Sequence, residues 1–176
     1  MKPLPVLRGR RVVLSPLCDA DADVLFQWIN DRALVELSAP FRPVAWEDHV
    51  RWLRAVREAD DVAAFGLRAP SDGRLVGSSQ LVGIDRASRS AELRIRIGEA
   101  GARGHGLGTE AVELLARFGH EDLALDRVWL EVFTTNLPAI RAYEKAGFVR
   151  EGERRSAAII RGHPQDVLVM AHRRSA

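Results

Sequence analysis

The chain reads as an α+β (mixed α/β) protein, and three observations predict that class. Ser90–Ile97 alternates cleanly, with Leu93, Ile95 and Ile97 on one face and Glu92, Arg94 and Arg96 on the other, which is the period of a strand. Residues 109–123 repeat at helical spacing instead, with Val112, Leu115 and Phe118 inward and Glu110, Glu113, Arg117 and Glu121 outward. Pro70-Ser71-Asp72-Gly73 is turn chemistry between two strand-like runs, so those strands are joined by a hairpin. Helices are thus interleaved with a mostly hairpin-connected sheet.

Taken in order, residues 10–17 (RRVVLSPL) carry enough β-branched and apolar side chains for a first strand. Asp19 is placed to cap a helix in which Val24, Leu25, Trp28 and Ile29 share one face. Residues 31–44 contain Pro40 and Pro43 and read as a loop. Trp46, Val50, Leu53 and Val56 then form a second helical stripe that ends near Asp60. Strands follow at 62–68, 75–84 and 90–97, then the helix at 109–123 and a strand at 127–135. Residues 137–146 form a helix stopped by Gly147. Strands at 148–160 and 166–172 close a sheet of about seven strands and four helices.

With 176 residues, 47% hydrophobic and 28% charged, the chain has the size and composition of one soluble domain spanning 1–176. No segment approaches the ~20 apolar residues of a membrane span, and residues 1–5 hold no apolar run long enough for a secretory signal. Cys18 is the only cysteine, which excludes an intrachain disulfide and argues against any cysteine metal cluster. The expectation is a cytoplasmic protein without a metal. The pI of about 9.2 raises nucleic-acid binding. However, the net charge is only +2, basic and acidic residues are interspersed, and 24 of the 26 basic residues are arginine. Such an excess fits codon bias in a GC-rich genome better than selection for phosphate contacts. No basic stripe with interleaved aromatics is present, so neither nucleic acid nor membrane is an expected partner.

The informative stretch is Arg103-Gly104-His105-Gly106-Leu107-Gly108, between a strand and a helix. Alternate glycines let the backbone approach a ligand with no Cβ in the way. A helix starting near Thr109 aims unpaired N–H groups and its positive dipole end at the same spot. Together they make a cradle for phosphate oxygens, to which Arg103 can add charge; the alternative is a flexible turn with no ligand. A dinucleotide fingerprint would need glycine where Thr109 stands, and a nucleoside-triphosphate loop would need Lys-Ser/Thr after Gly108 rather than Thr109-Glu110.

Residues 103–108 also match the Arg/Gln-x-x-Gly-x-Gly/Ala pyrophosphate motif of the GNAT superfamily of N-acetyltransferases, and Thr109-Glu110-Ala111 continues it as usual there. Asn136-Leu137-Pro138-Ala139-Ile140-Arg141-Ala142-Tyr143-Glu144-Lys145-Ala146-Gly147-Phe148 resembles the family's Asn-x-x-Ala-x-x-x-Tyr-Glu-Lys-x-Gly-Phe almost position for position. The tail, with Gly152, Gly162 and Asp166, is similar to the branch that acetylates ribosomal-protein N-termini. The specific match spans 91–166; the first ninety residues fit in outline.

The resemblance implies an enzyme that transfers an acetyl group from acetyl-CoA to a primary amine, on a protein N-terminus or a small molecule, by direct attack in a ternary complex. It implies a mostly antiparallel twisted sheet splayed at the strand through Ile97, whose free backbone groups pair with the pantetheine arm. A backbone N–H at Ile95, Arg96 or Ile97 would polarise the thioester carbonyl. Arg103, Gly104, His105, Gly106, Leu107, Gly108 and Thr109 would hold the pyrophosphate. Asn136 would cap its helix and reach the cofactor arm through its amide. Tyr143, two turns on, would protonate the departing thiolate; its alternative is a half-buried tyrosine under the sheet. A homodimer is compatible with this reading.

The acceptor ammonium must lose a proton before it can attack, because an amine of pKa near ~10 is mostly protonated at neutral pH. Glu92, on the polar face of the central strand, is the first candidate base, through a water. The alternative is a carboxylate paired with a neighbouring arginine. His49, at the surface of an amphipathic helix, and His105, in the phosphate loop, are weaker candidates. Cys18 has no evident partner, so no covalent acyl-enzyme is expected. Arg94 stands where relatives carry a small residue near the acceptor side. A non-catalytic CoA-binding sensor is the rival reading, and Tyr143 with a base is what separates the two. The acceptor pocket would lie between the loop 31–44 and the hairpin 155–166, neither of which carries a diagnostic motif.

Overall fold

The computed structural model describes residues 4–174; residues 1–3, part of the segment searched above for a secretory signal, and residues 175–176 lie outside it. The described residues form one eight-stranded sheet, in the order β1 (Leu7–Arg8), β2 (Val13–Pro16), β3 (Ala63–Arg68), β4 (Leu75–Asp85), β5 (Ser90–Ile97), β6 (Arg127–Phe133), β8 (His163–Arg173), β7 (Val149–Ile160). Every neighbouring pair is antiparallel except β5–β6. A parallel pair needs a crossover, and α4 (Leu107–Glu121) supplies it. The other helices are α1 (Ala22–Ile29), α2 (Arg32–Val35), α3 (Trp46–Glu58) and α5 (Leu137–Lys145).

The main core lies between the α4 face of the sheet and that helix, with Val112, Leu115 and Phe118 packed on Phe65, Leu81, Val128 and Leu130. A smaller core of Leu17, Leu25, Trp28, Leu34 and Leu53 covers the opposite face. Both stripes follow the helical periods of the sequence. Where boundaries differ, a specific interaction is responsible. Asp19 caps nothing: it opens a 3-10 turn, Asp19–Asp21, and α1 begins at Ala22. The capping carboxylate is Asp21, which accepts from the Cys18 amide at 2.9 Å and pairs with Arg68 at 2.8 Å while almost fully buried.

The 31–44 loop contains the single-turn α2, capped by Asp31 accepting from the Leu34 amide at 3.2 Å. The eighth strand is the two-residue β1, too short to leave a period in the sequence. The β7–β8 hairpin turns at Arg161 and Gly162, both at positive φ, as a two-residue type I′ loop requires.

Candidate active site

β5 pairs with β4 as far as Ile97, but with β6 only at Ser90, Ala91 and Glu92. Beyond Glu92 the two strands part, and among the described residues no strand pairs with the β6 side of residues 93–97 in the middle of the sheet. Backbone groups on that side bond to whatever enters the gap, because a buried backbone amide without a partner is costly.

The gap leads into the glycine loop. Gly104 and Gly106 sit at φ +81° and +78°, a conformation that L side chains rarely adopt. Gly106 is the N-cap of α4, which starts at Leu107, two residues before the sequence pattern suggests. The orphan amides of its first turn therefore belong to Leu107 and Gly108, inside the motif, and to Thr109 just past it. Arg103 joins loop to strand: its Nε and Nη2 donate to the carbonyls of Ile97 and Gly98, each at 3.1 Å. Part of its guanidinium is thereby engaged in shaping the site. His105 is exposed, and its carbonyl accepts from Arg11 Nη1 at 3.0 Å.

Arg11 was not foreseen. Its Cδ, Nε and Nη1 lie 3.7 Å from where a Cβ on Gly106 would stand, so a second guanidinium flanks the cradle. Glu110 holds it there. This side chain, expected outward, turns under the N-terminal segment and accepts from the amides of Arg10, Arg11 and Val12 at 2.9, 2.6 and 3.0 Å. No local pattern betrays a contact between residues about 100 positions apart.

On α5, Asn136 caps the helix by accepting from the Ala139 amide at 3.3 Å. Its Nδ2 donates to the Leu37 carbonyl at 3.2 Å, so the amide expected to reach a cofactor arm instead ties α5 to the loop after α2. Tyr143 lies two turns on, half-buried at the edge of the main core, with its ring 6.3 Å from that of Phe148. Loss of water around it pushes its hydroxyl up to about 12. Ile95 and Ile97 border the same core.

Glu92 is held by Arg94 in a two-pronged ion pair, with Nε to Oε1 and Nη2 to Oε2 both 2.8 Å. The pairing with a neighbouring arginine is thus present, and it occupies one lone pair on each oxygen, leaving capacity for a water. Arg96, two residues on along the same face, is half-buried, and its guanidinium has no hydrogen-bond or ion-pair partner among the described residues. His49 is not at the surface: it is 3% exposed, its Nε2 lies 2.9 Å from the Ala22 carbonyl, and burial lowers its pKa. The α1–α3 contact explains the difference, since the ring closes over the first turn of α1. A cavity of about 200 Å³ lies between residues 38–40 and the β6, β7 and β8 strands.

The family described as "Acetyltransferase (GNAT) domain" matches residues 11–149. Spermidine N(1)-acetyltransferase of Escherichia coli K12 is 30% identical over 86% of this chain and 75% of its own length. The probable N-acetyltransferase YjcK of Bacillus subtilis is 34% identical over 65% of this chain, a match spanning 63% of its own length. Among solved structures, a Vibrio cholerae spermidine N-acetyltransferase with CoA and spermine superposes with a TM-score of 0.85 at 23% identity, covering 94% of this chain and 96% of that one. A Vibrio cholerae chain proposed to be a ribosomal-protein-serine acetyltransferase gives 0.77 at 22% identity, covering 99% and 100%. At these identities the solved structures establish the fold. The motif, the splayed strand and the family match converge: the chain belongs to the GNAT family of acetyl-CoA-dependent N-acetyltransferases.

Proposed function

We propose that this chain acetylates a primary amine by direct attack on acetyl-CoA in a ternary complex, with Tyr143 as the acid and Glu92 as the base. The observation that carries the reading is the gap between β5 and β6 beyond Glu92, which ends on two left-handed glycines and the first amides of α4. A gap with open backbone groups and an anion cradle at one end suits a ligand with an amide-bearing arm and a phosphate head. The amides of Leu107, Gly108 and Thr109 and the guanidinium groups of Arg11 and Arg103 serve the pyrophosphate. The open amides of residues 93–97 serve the arm and the thioester oxygen.

Acetyl-CoA supplies an activated carbonyl: the amine nitrogen bonds to its carbon, and the carbon–sulfur bond breaks. Glu92, oriented by Arg94, takes the ammonium proton through a water before attack. Tyr143 donates to the departing thiolate. A hydroxyl pushed up to about 12 is fully protonated at neutral pH, as an acid must be. It lies well above a thiol near ~8.5, so a hydrogen bond to the growing charge is the larger part of its contribution. A cytoplasmic setting agrees with the lone cysteine and with the lack, among the described residues, of any helix long and apolar enough to cross a membrane. Release of free thiol from acetyl-CoA, followed across a panel of amines, tests the transferase reading. Acetyl-CoA binding by calorimetry without thiol release from any amine would mark a CoA sensor instead.

A further inference from the structure

The acceptor's chemical class follows from how charge is distributed on the open face of the site, if the face of β5 bearing Glu92 receives the amine as proposed above. Three carboxylates stand there, and each is already matched by arginine. Glu92 carries Arg94 at 2.8 Å, Glu131 carries Arg154, and Glu36 carries Arg161 at 2.6 Å with Arg32 at 3.8 Å. In each main pair the acid lies beneath the base: side-chain exposures are 19, 32 and 11% for the acids, against 62, 58 and 63% for their arginines. A visitor therefore meets guanidinium groups before carboxylates.

A polyamine's second ammonium would have to displace an arginine from its acid, and would face like charge while doing so. Arg96 adds a cation with no counter-charge among the described residues, two positions beyond Arg94 and opposite Ser78 in β4. A half-buried guanidinium favours an anion, because its desolvation is otherwise uncompensated.

The nearby cavity, lined by Ser38, Pro40, Glu131, Phe133, Arg154 and Val167 among others, holds about 200 Å³. That is below the ~300–1,000 Å³ of pockets that take drug-sized ligands. Its lining includes both partners of the Glu131–Arg154 pair, and Arg161–Glu36 and Asn136–Leu37 anchor the loop after α2 beside it.

We infer that the acceptor is a small primary amine carrying a carboxylate within a few bonds of the nitrogen, an amino acid in the broad sense, with Arg96 as the residue that selects for the carboxylate. The amine would be acetylated while the carboxylate is left unreacted, so the chemistry balances as in any acetyl transfer.

The test is thiol release from acetyl-CoA with three sets of acceptors: free L-amino acids, the matching L-amino acid amides, and spermidine. A fourth arm uses short peptides with and without an acidic second residue. The expected result is a kcat/KM for the best free amino acid about 10- to 100-fold above its own amide, the worth of one charge-assisted hydrogen bond. Arg96→Gln should bring that ratio close to one, and Arg96→Lys should restore part of it. Spermidine or a peptide preferred over every free amino acid would overturn the inference while leaving the transferase reading intact. An acid-to-amide ratio near one in the wild type would do the same, even if the variants fail to fold. Binding of acetyl-CoA with no release from any acceptor would overturn both.

Discussion

Tyr143 and Glu92 meet the demands of the roles proposed for them in different ways. The tyrosine has lost most of its water and stays protonated. The carboxylate is gripped through both oxygens by the Arg94 guanidinium. Tyr143→Phe should therefore lower kcat, toward the lower end of the ~100- to 10,000-fold usual for acid–base groups, with acetyl-CoA affinity nearly unchanged; stopped assays and calorimetry together read both. Wild-type turnover in that variant would hand the acid role to water.

Glu92→Gln should slow the reaction near neutral pH and recover toward pH 10, where more of the amine is already unprotonated. Parallel pH–rate profiles for the two proteins would reduce Glu92 to a partner of Arg94. Both residues were visible in the sequence through their motif or strand position. Arg94's grip on Glu92 was open to inspection too, since residues two apart on a strand share a face. Arg11 was not visible, because nothing around it differs from any arginine at the start of a strand.

At the scale of elements, periodicity gave the core face of α4 and the alternation of β5, since burial imposes those periods directly; on α3 it gave Leu53, but Trp46 of the expected stripe is exposed and His49 is buried in its place. Ends were less legible. The first turn of α1 is set by Asp21 answering Arg68, and that partner is 47 residues away. The cradle is the element with the sharpest test. Gly106→Val would put a β-branched side chain at φ +78°, where even without a clash the backbone must move. CoA affinity should fall at least tenfold in a variant whose circular dichroism matches the parent. An unchanged dissociation constant would remove the pyrophosphate assignment.

For the whole molecule, acid should be destabilising well before the carboxylates titrate. Burial lowers the pKa of His49, and burial together with the charge of His120 lowers that of His172. His120 Nδ1 donates to the Leu125 carbonyl at 2.9 Å, and its Nε2 lies 2.9 Å from His172 Nδ1. Above about pH 6.5 His49 and His172 are neutral in both folded and unfolded chains, and their contribution is fully present. As pH falls below that value the unfolded chain takes up protons that the folded one refuses, and stability drops. Tm should fall by about 2–8 °C between pH 7 and 5.5, and by less in His172→Gln; scanning calorimetry at fixed ionic strength reads it. A flat Tm over that interval would show that these rings accept protons without cost. None of this was legible in the sequence: His49 lies on a stripe of mixed polarity, and His120 and His172 meet only once β8 has joined β6.

The grip of Glu110 on the amides of Arg10, Arg11 and Val12 also has a meaning in time. It closes a loop of about a hundred residues, an entropic demand met only after local helices and hairpins have formed. During synthesis the first strand leaves the ribosome long before α4 exists to receive it. The second guanidinium of the proposed cradle therefore takes its place only when beginning and middle of the chain have met, which makes completion of the proposed pyrophosphate site depend on one of the longest-range contacts of the fold.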